Sequence, residues 1–512
     1  MDNTWNSRDI PRNVLRDVII MTETEKQIEP VLEEKDPVKR KLQEIVGPAN
    51  IADSELEKIV YSGDPSSLPH FHYRWKIQYL VDYVVRPQNI EQIQSILNFA
   101  NVGGFPIIPR GGASSCMGSS SPSRGGISLD IKVLNKVLEI NEEEMWARIE
   151  AGITFDKLEV TLGKKGLMLG IYPSSGKSAV LGGWLSCGGR SGIGTPKYGS
   201  LKENVLELKV AKADGSVETL TDEDIGLFCG SYGILGIIAE MKIRIRKIPN
   251  AYVPISFSFN SLEDLCKAFT EIGENNLKPV YIKVADRLFQ SYSNPISAGE
   301  YVLSATFIDE DEEASQKLTS IIEANNGLFL GPEYSHQEWE LRYDCEFQPK
   351  EHCDTLMFQE ILLDTNKLFE LVEFFEKQRD SYKVPFIWSA MLGVDNELRV
   401  ELMALLDPEK YLKFISSKGI LHKMVKKSIQ LGGGPYSVGL QNSIYMSKAF
   451  PERLEFLKEA KEEWDPQNVM NPDRVVSCLT SYGRINVLFK LAVAFRKLSK
   501  YLDREVFTGG VA

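Results

Sequence analysis

Three glycine- and serine-rich pieces lie between Pro109 and Ile238. The first is Pro109-Arg110-Gly111-Gly112-Ala113-Ser114-Ser115-Cys116-Met117-Gly118. The second runs Tyr172-Pro173-Ser174-Ser175-Gly176. It continues from Gly182-Gly183 through Ser186, Gly188, Gly189, Gly192 and Gly194 to Lys197-Tyr198-Gly199. The third is Gly230 to Ile238 and contains Gly236. A diphosphate spreads its charge over oxygens that need several donors at once. Main-chain amides supply them where no Cβ blocks approach and φ can turn positive. Tight turns in a β-rich domain are the competing explanation for any one piece. None of the three has the GxGxxG spacing or the GxxxxGK[ST] loop, so a different nucleotide-binding mode is indicated.

The elements that must hold these pieces can be read from periodicity. LVDYVVRP (80–87) is a β-branched run stopped by Pro87. Residues 89–101 repeat apolar side chains at helical spacing. Short strands follow at 125–131, 136–140 and 146–152. A helix is predicted over 154–166, capped by Thr154 and ended by Gly166. Residues 203–220 read as a hairpin turning at Asp214-Gly215, and 233–249 as a last strand. After Pro249 a strand-then-helix rhythm sets in, typical of an antiparallel sheet with covering helices. The expected architecture is α+β. It has a loosely attached arm (1–45), a nucleotide-binding domain (46–250), a second domain (251–478) closed by EWDPQNVMNPDRVV, and an amphipathic tail (479–512).

Composition removes several function classes. The 512 residues carry a net charge of −12, which argues against nucleic acid as the main partner. None of the seven cysteines lies in a CxxC pair, which disfavours an iron–sulfur or zinc site within this chain. Reduced thiols, a polar N-terminus and no apolar run of membrane-spanning length lead us to expect a cytoplasmic protein. RINVLFKLAVAFRKLSKYL (484–502) is a local basic amphipathic stretch. It fits a partner's groove, with a membrane surface or its own domain as alternatives.

In combination, VVRPQNIEQIQSILNFAN, PRGGASSCMG, GGWLSCGGRSGIGTPKYGS, GSYGILGII and EEWDPQNVMNPDRVV resemble the vanillyl-alcohol oxidase type of FAD-binding oxidoreductase. The similarity is greatest to the glycolate oxidase and D-lactate dehydrogenase branch. The resemblance implies a two-subdomain FAD-binding domain followed by an FAD-linked oxidase C-terminal domain. It implies FAD contacts from Pro109, Arg110, Gly111, Gly112, Ala113, Ser114, Ser115 and Gly118 in the first piece. In the second it implies Pro173, Ser174, Gly176, Gly182, Gly183, Ser186, Gly188, Gly189, Gly192, Gly194 and Tyr198, and in the third Gly236 and Ile238. Relatives that attach FAD covalently often use a His in the first loop. Ala113 stands there, so non-covalent FAD is expected.

The branch often carries HxGDGNxH and GEHG segments whose histidines bind a metal or act as base. Only His70, His72, His336, His352 and His422 occur here. The matching stretches, Trp388–Asn396 and Gly434–Asn442, contain none of them, so no metal is expected. Tyr436 falls where the base would sit, a role that needs a depressed pKa; a hydrogen-bonded wall is the alternative. Asn442 and Gln441 are candidates to orient a substrate carbonyl or the flavin, or to serve a turn. Arg342 is similar to an arginine that meets a substrate carboxylate, with a surface ion pair as the plainer reading. The expected activity is hydride transfer from a small, hydroxy acid-like substrate to flavin. Electrons would then pass to a protein acceptor, such as an iron–sulfur or electron-transfer subunit, or to a quinone. The alternatives are an oxidoreductase on a non-hydroxyacid substrate, such as an alcohol, with Tyr436 at the base position, and a flavin-bearing electron-transfer subunit without substrate chemistry of its own.

Overall fold

The computed structural model describes residues 36–66, 79–296, 299–343, 346–382, 385–406 and 411–477. Its first sheet contains β1 (Ile51–Ala52), β2 (Tyr83–Val85), β3 (Ile107–Arg110) and β4 (Ile127–Asp130), in the order β1-β2-β4-β3. β4 runs parallel to both β2 and β3. Parallel neighbours need a crossover, and the helix Ile90–Gly103 lies in the one between β2 and β3. Asn89 accepts from the Gln92 amide at its start, and left-handed Gly104 (φ 68°) ends it. Its buried side is Ile93, Ile96, Leu97 and Ala100, the stripe that the spacing predicts. The helix Pro37–Val46 buries Leu42 and Val46 in the same core. The final residues of the expected arm are therefore packed.

The chain next lays down β5 (Val137–Asn141), β6 (Trp146–Glu150), β7 (Leu167–Met168), β8 (Val205–Lys212), β9 (Val217–Thr221), β10 (Gly236–Arg244) and β11 (Arg246–Lys247). Five of these form an antiparallel sheet in the order β5-β6-β10-β8-β9, and β7 pairs with β11. Gly215 (φ 84°) sits in the turn between β8 and β9, as the Asp-Gly pair predicts. The helix Phe155–Gly163 is capped by Thr154, whose Oγ1 accepts from Lys157 N at 3.2 Å.

The second half is one antiparallel sheet. Its strands are β12 (Tyr252–Phe259), β13 (Tyr281–Asp286), β14 (Tyr301–Ile308), β15 (Leu328–Phe329), β16 (Thr355–Asp364), β17 (Phe386–Leu392), β18 (Glu397–Leu406) and β19 (Gly434–Pro435). They lie in the order β15-β12-β14-β13-β17-β18-β16-β19. Met357, Ile361, Trp388, Val400 and Leu402 share a core with Leu265, Phe269, Leu318, Leu371, Phe375 and Leu421 from four helices. Side chains alternate along a strand. Phe358, Glu360, Arg399 and Glu401 therefore take the other face of the sheet.

The segment 465–476 returns to the first half. Ile107 N donates to Val469 O and Asn471 N to Ile107 O, at 2.8 and 2.7 Å. Arg124 grips Asp473 with two nitrogens, at 2.6 and 2.7 Å. The sequence places this segment at the close of the second domain; the structure ties it to the first half as well. The two halves also meet where Gly194 N donates to Val280 O and Arg190 pairs with Glu397.

Candidate active site: a cavity between the two domains

The loop after β3 forms one wall of a cavity between the halves. Pro109 to Ser115 all face it. A Cβ on Gly112 would lie 1.9 Å from Ser178 O, and one on Gly111 would lie 2.5 Å from Val180 Cγ2. The loop thus abuts the 178–183 segment as closely as bare backbone allows. Ala113 adopts φ 51°. Among the described residues, the amides of Gly112, Ala113, Ser114 and Ser115 have no protein acceptor. Four free donors in succession form a concavity suited to an anion. The Arg110 guanidinium turns away from this wall. It donates to Gly63 O at 2.7 Å and Val60 O at 3.2 Å.

From the second and third pieces, Pro173, Ser174, Gly182, Gly183, Ser186, Gly236 and Ile238 line the cavity. The other expected contacts lie elsewhere. Gly118 O accepts from Arg474 Nη1 at 2.6 Å. Gly176 closes a turn onto Pro173 O. Gly188 and Gly189 follow the helix Leu181–Ser186 with φ 114° and 58°. Gly192 and Gly194 pack against Tyr172 O and Gly170 O, where a Cβ would lie 2.5 and 1.8 Å away. Tyr198 carries the Arg246 guanidinium 4.3 Å above its ring. In this structure these residues shape turns and the contact between domains.

The far wall comes from the second domain and was largely missed in the sequence. Arg399 Nη2 lies 2.5 Å from Glu346 Oε1 and 3.0 Å from Glu401 Oε1, and its Nη1 lies 3.8 Å from Glu360 Oε1. All four line the cavity, with Phe347, Phe358, Tyr436 and Ser437. Glu360 and Glu401 face each other across β16 and β18. Like charges placed so repel, and the guanidinium separates them. Burial raises the carboxyl pKa of both; Arg399 opposes that rise without cancelling it. The carboxylates hold the Arg399 pKa above its ordinary value despite burial. Its Nε is buried without an acceptor. Ser437 donates to Glu360, and Ser174 to Glu346.

Two expected catalytic side chains are absent from this wall and the third has the wrong pKa. Arg342 donates to Tyr172 Oη and Trp339 O and lies 4.0 Å over the Trp339 ring. The arginine in the cavity is Arg399. Asn442 donates to Ser437 O at 2.8 Å and so braces the segment behind the wall. Gln441 accepts from Lys418. Tyr436 does line the cavity, but burial pushes its hydroxyl up to about 12 and it reaches Ser191 O at 3.3 Å. It stands as a hydrogen-bonded wall, without the depressed pKa that a base role needs. His422 pairs with Tyr445, the His352 ring lies against Tyr292, and His336 is on the helix Pro332–Glu340. None of the three lines the cavity. His70, His72 and the 484–502 stretch fall outside the described residues.

Residues 81–221 match the FAD binding domain model, and 248–475 match that of the FAD linked oxidases, C-terminal domain. The chain therefore carries an FAD binding domain followed by an FAD-linked-oxidase C-terminal domain. Over 453 residues it is 25% identical to the mitochondrial D-lactate dehydrogenase [cytochrome] of Arabidopsis thaliana, covering 83% of this chain and 77% of that one. Over 471 residues it is 24% identical to glycolate oxidase subunit GlcD of Bacillus subtilis (strain 168), covering 86% and 96%. A solved structure of p-cresol methylhydroxylase with substrate bound superposes with a TM-score of 0.75 at 16% identity, covering 88% and 98%. It shares the fold. The protein is an FAD-dependent oxidoreductase. The free amides of the first loop and the Cβ-free approach of Gly111 and Gly112 fit the diphosphate of that cofactor.

Proposed function

We propose that this FAD-dependent oxidoreductase is a dehydrogenase acting on a hydroxyl-bearing carbon, with the buried carboxylates of Glu360 and Glu401 as proton acceptor. FAD, when bound, supplies the hydride acceptor. Removing hydride from such a carbon requires the hydroxyl proton to leave as well. A carboxylate of raised pKa suits that transfer better than an ordinary one, because its basicity is closer to neutral. Arg399 Nε–H is free to donate to the substrate oxygen as charge develops there. Phe347 and Phe358, with ring centroids 5.6 Å apart, add apolar wall that limits water beside the carboxylates. D-lactate dehydrogenase and glycolate oxidase, by name, both oxidise a hydroxyl carbon.

The observation that carries this reading is one arginine set among three glutamates in the cavity wall. FAD is held without a covalent bond: Ala113 offers no nucleophile, and burial keeps the Cys116 thiol well above its ordinary pKa, hence protonated. Electrons pass on to a protein or quinone acceptor. Anaerobic mixing of holoprotein with D-lactate, glycolate and neutral alcohols tests the reading through flavin bleaching. At least one hydroxyl compound should bleach it, and Glu401→Gln should slow bleaching by about 10²–10⁴ with flavin content intact. If dithionite reduces the flavin and no hydroxyl compound does, the protein is an electron-transfer subunit instead.

A further inference from the structure

We infer that the hydroxyl substrate carries no carboxylate beside its reacting carbon and is a neutral alcohol. This rests on the dehydrogenase reading above and narrows its substrate class.

Anchoring a 2-hydroxy acid calls for a cation whose donors are free, ideally a guanidinium in bidentate contact. Among the described residues lining the cavity, the basic side chains are Arg110 and Arg399. Arg110 spends its terminal nitrogens on Val60 O, Tyr61 O and Gly63 O. Arg399 spends Nη2 on Glu346 and Glu401, at 2.5 and 3.0 Å, and its Nη1 lies 3.8 Å from Glu360, an ion pair without a hydrogen bond. Both bidentate edges of a guanidinium, Nε with Nη2 and Nη1 with Nη2, use the nitrogen that Glu346 and Glu401 already hold, so neither is open to grip a carboxylate with two parallel bonds.

Charge leads to the same conclusion. One guanidinium faces three carboxylates, so the wall carries up to two uncompensated negative charges when all are ionised. Burial lets Glu360 and Glu401 retain protons, which lowers that excess but never makes the wall positive. Among the described residues, the other cation lining the cavity is Arg110, whose guanidinium turns away to Gly63 O and Val60 O, and the nearby thiols Cys116 and Cys187 stay neutral because burial raises both. In a buried setting, two like charges at contact distance repel strongly. An incoming anion meets that repulsion. A neutral hydroxyl meets a donor at Arg399 Nε, an acceptor at Glu360 or Glu401, and the apolar rings of Phe347 and Phe358 beside them.

The test uses matched pairs that differ only in replacing a carboxylate by a hydroxymethyl group. D-lactate is set against 1,2-propanediol, and mandelate against 1-phenyl-1,2-ethanediol. Anaerobic reduction of the holoprotein flavin gives rate against concentration for each. The diol of a pair should reduce the flavin at least tenfold more efficiently than its acid. A second arm measures binding alone, with pyruvate and hydroxyacetone followed by perturbation of the flavin spectrum. Hydroxyacetone should bind more tightly. Glu346→Gln, which removes one negative charge and leaves Glu360 and Glu401 in place, should narrow the gap about tenfold. Acids that reduce the flavin as well as their diols would overturn the substrate class and leave the dehydrogenase reading intact. So would pyruvate binding as tightly as hydroxyacetone. Failure of both members of every pair, with normal reduction by dithionite, would overturn the dehydrogenase reading itself.

Discussion

Glu346 and Arg399 approach to 2.5 Å, and the Ser174 hydroxyl donates to the other oxygen of the same carboxylate. Glu346 precedes β16 and Arg399 lies on β18, whereas Ser174 belongs to the FAD-binding half. The glutamate therefore joins the cavity's two walls. Arg399→Met should expose its importance. Three buried carboxylates would then face one another, at a cost of about 3–5 kcal/mol. Glu360 and Glu401 would respond by holding protons, so their folded-state pKa values would climb further above the unfolded value of about 4.3. The folded state would then bind more protons than the unfolded one, and stability would fall as pH rises. Urea midpoints should show a larger deficit near pH 8 than near pH 5.

Glu401→Gln should lower the rate of flavin reduction by substrate by about 10²–10⁴. Flavin content should remain normal. In the wild type the rate should rise with pH through a value above the ordinary glutamate range, since the acceptor works only when ionised and its pKa is raised. That limb should vanish in the variant. Stopped-flow profiles across pH would check both points.

Gly112→Ala should yield protein with little or no flavin, because its Cβ would sit 1.9 Å from a backbone oxygen. Gly163→Ala is the matched control. It ends a helix with nothing within 4 Å. The control should keep its full yellow absorbance.

Arg342→Met should retain both flavin and turnover. It should cost about 1–2 kcal/mol, from the lost stacking on Trp339 and Tyr343 and the lost bonds to Tyr172 Oη and Trp339 O. A large rise in KM with unchanged stability would restore it as a substrate anchor.

Lys418 donates to Gln441, whose amide holds Met117 O in the first glycine loop. Burial draws its amine down to about 8. Its positive charge beside the diphosphate loop is present below that pH and fades above it. FAD affinity should weaken on the order of tenfold as pH passes upward through 8. Lys418→Met should bind FAD weakly at every pH. Fluorescence titration of apoprotein with FAD would resolve the two curves.

The sequence made the FAD half legible because its signals are local. Asn89 and Gly104 bracket a helix, Asp214-Gly215 turns a hairpin, and Gly111-Gly112 follow a strand. The α+β class and the strand–helix rhythm after Pro249 rest on periodicity of the same kind. The carboxylate cluster was not legible, because Glu346, Glu360, Arg399 and Glu401 come from separate places and meet only through sheet register. One clue existed. Arg399 and Glu401 stand two apart in ELRVELMALL, a charged face on an otherwise apolar strand. Arg342 and Tyr436 were read by likeness to motifs, which cannot say which way a side chain turns. Gly188 to Gly194 looked like cofactor contacts because a glycine needed for packing and one needed for a phosphate leave the same letter.

Segment 465–476 supplies the neighbour that Ile107 needs on the open edge of β3. The strand that leads into the diphosphate loop is therefore completed by residues that follow the whole second-half sheet in the chain. A nascent chain paused after Pro249 would hold that strand with a bare edge and Ser123 without its partner at Pro472. Separate expression of the first half should give an aggregation-prone product, and cofactor capture should wait until segment 465–476 has been made.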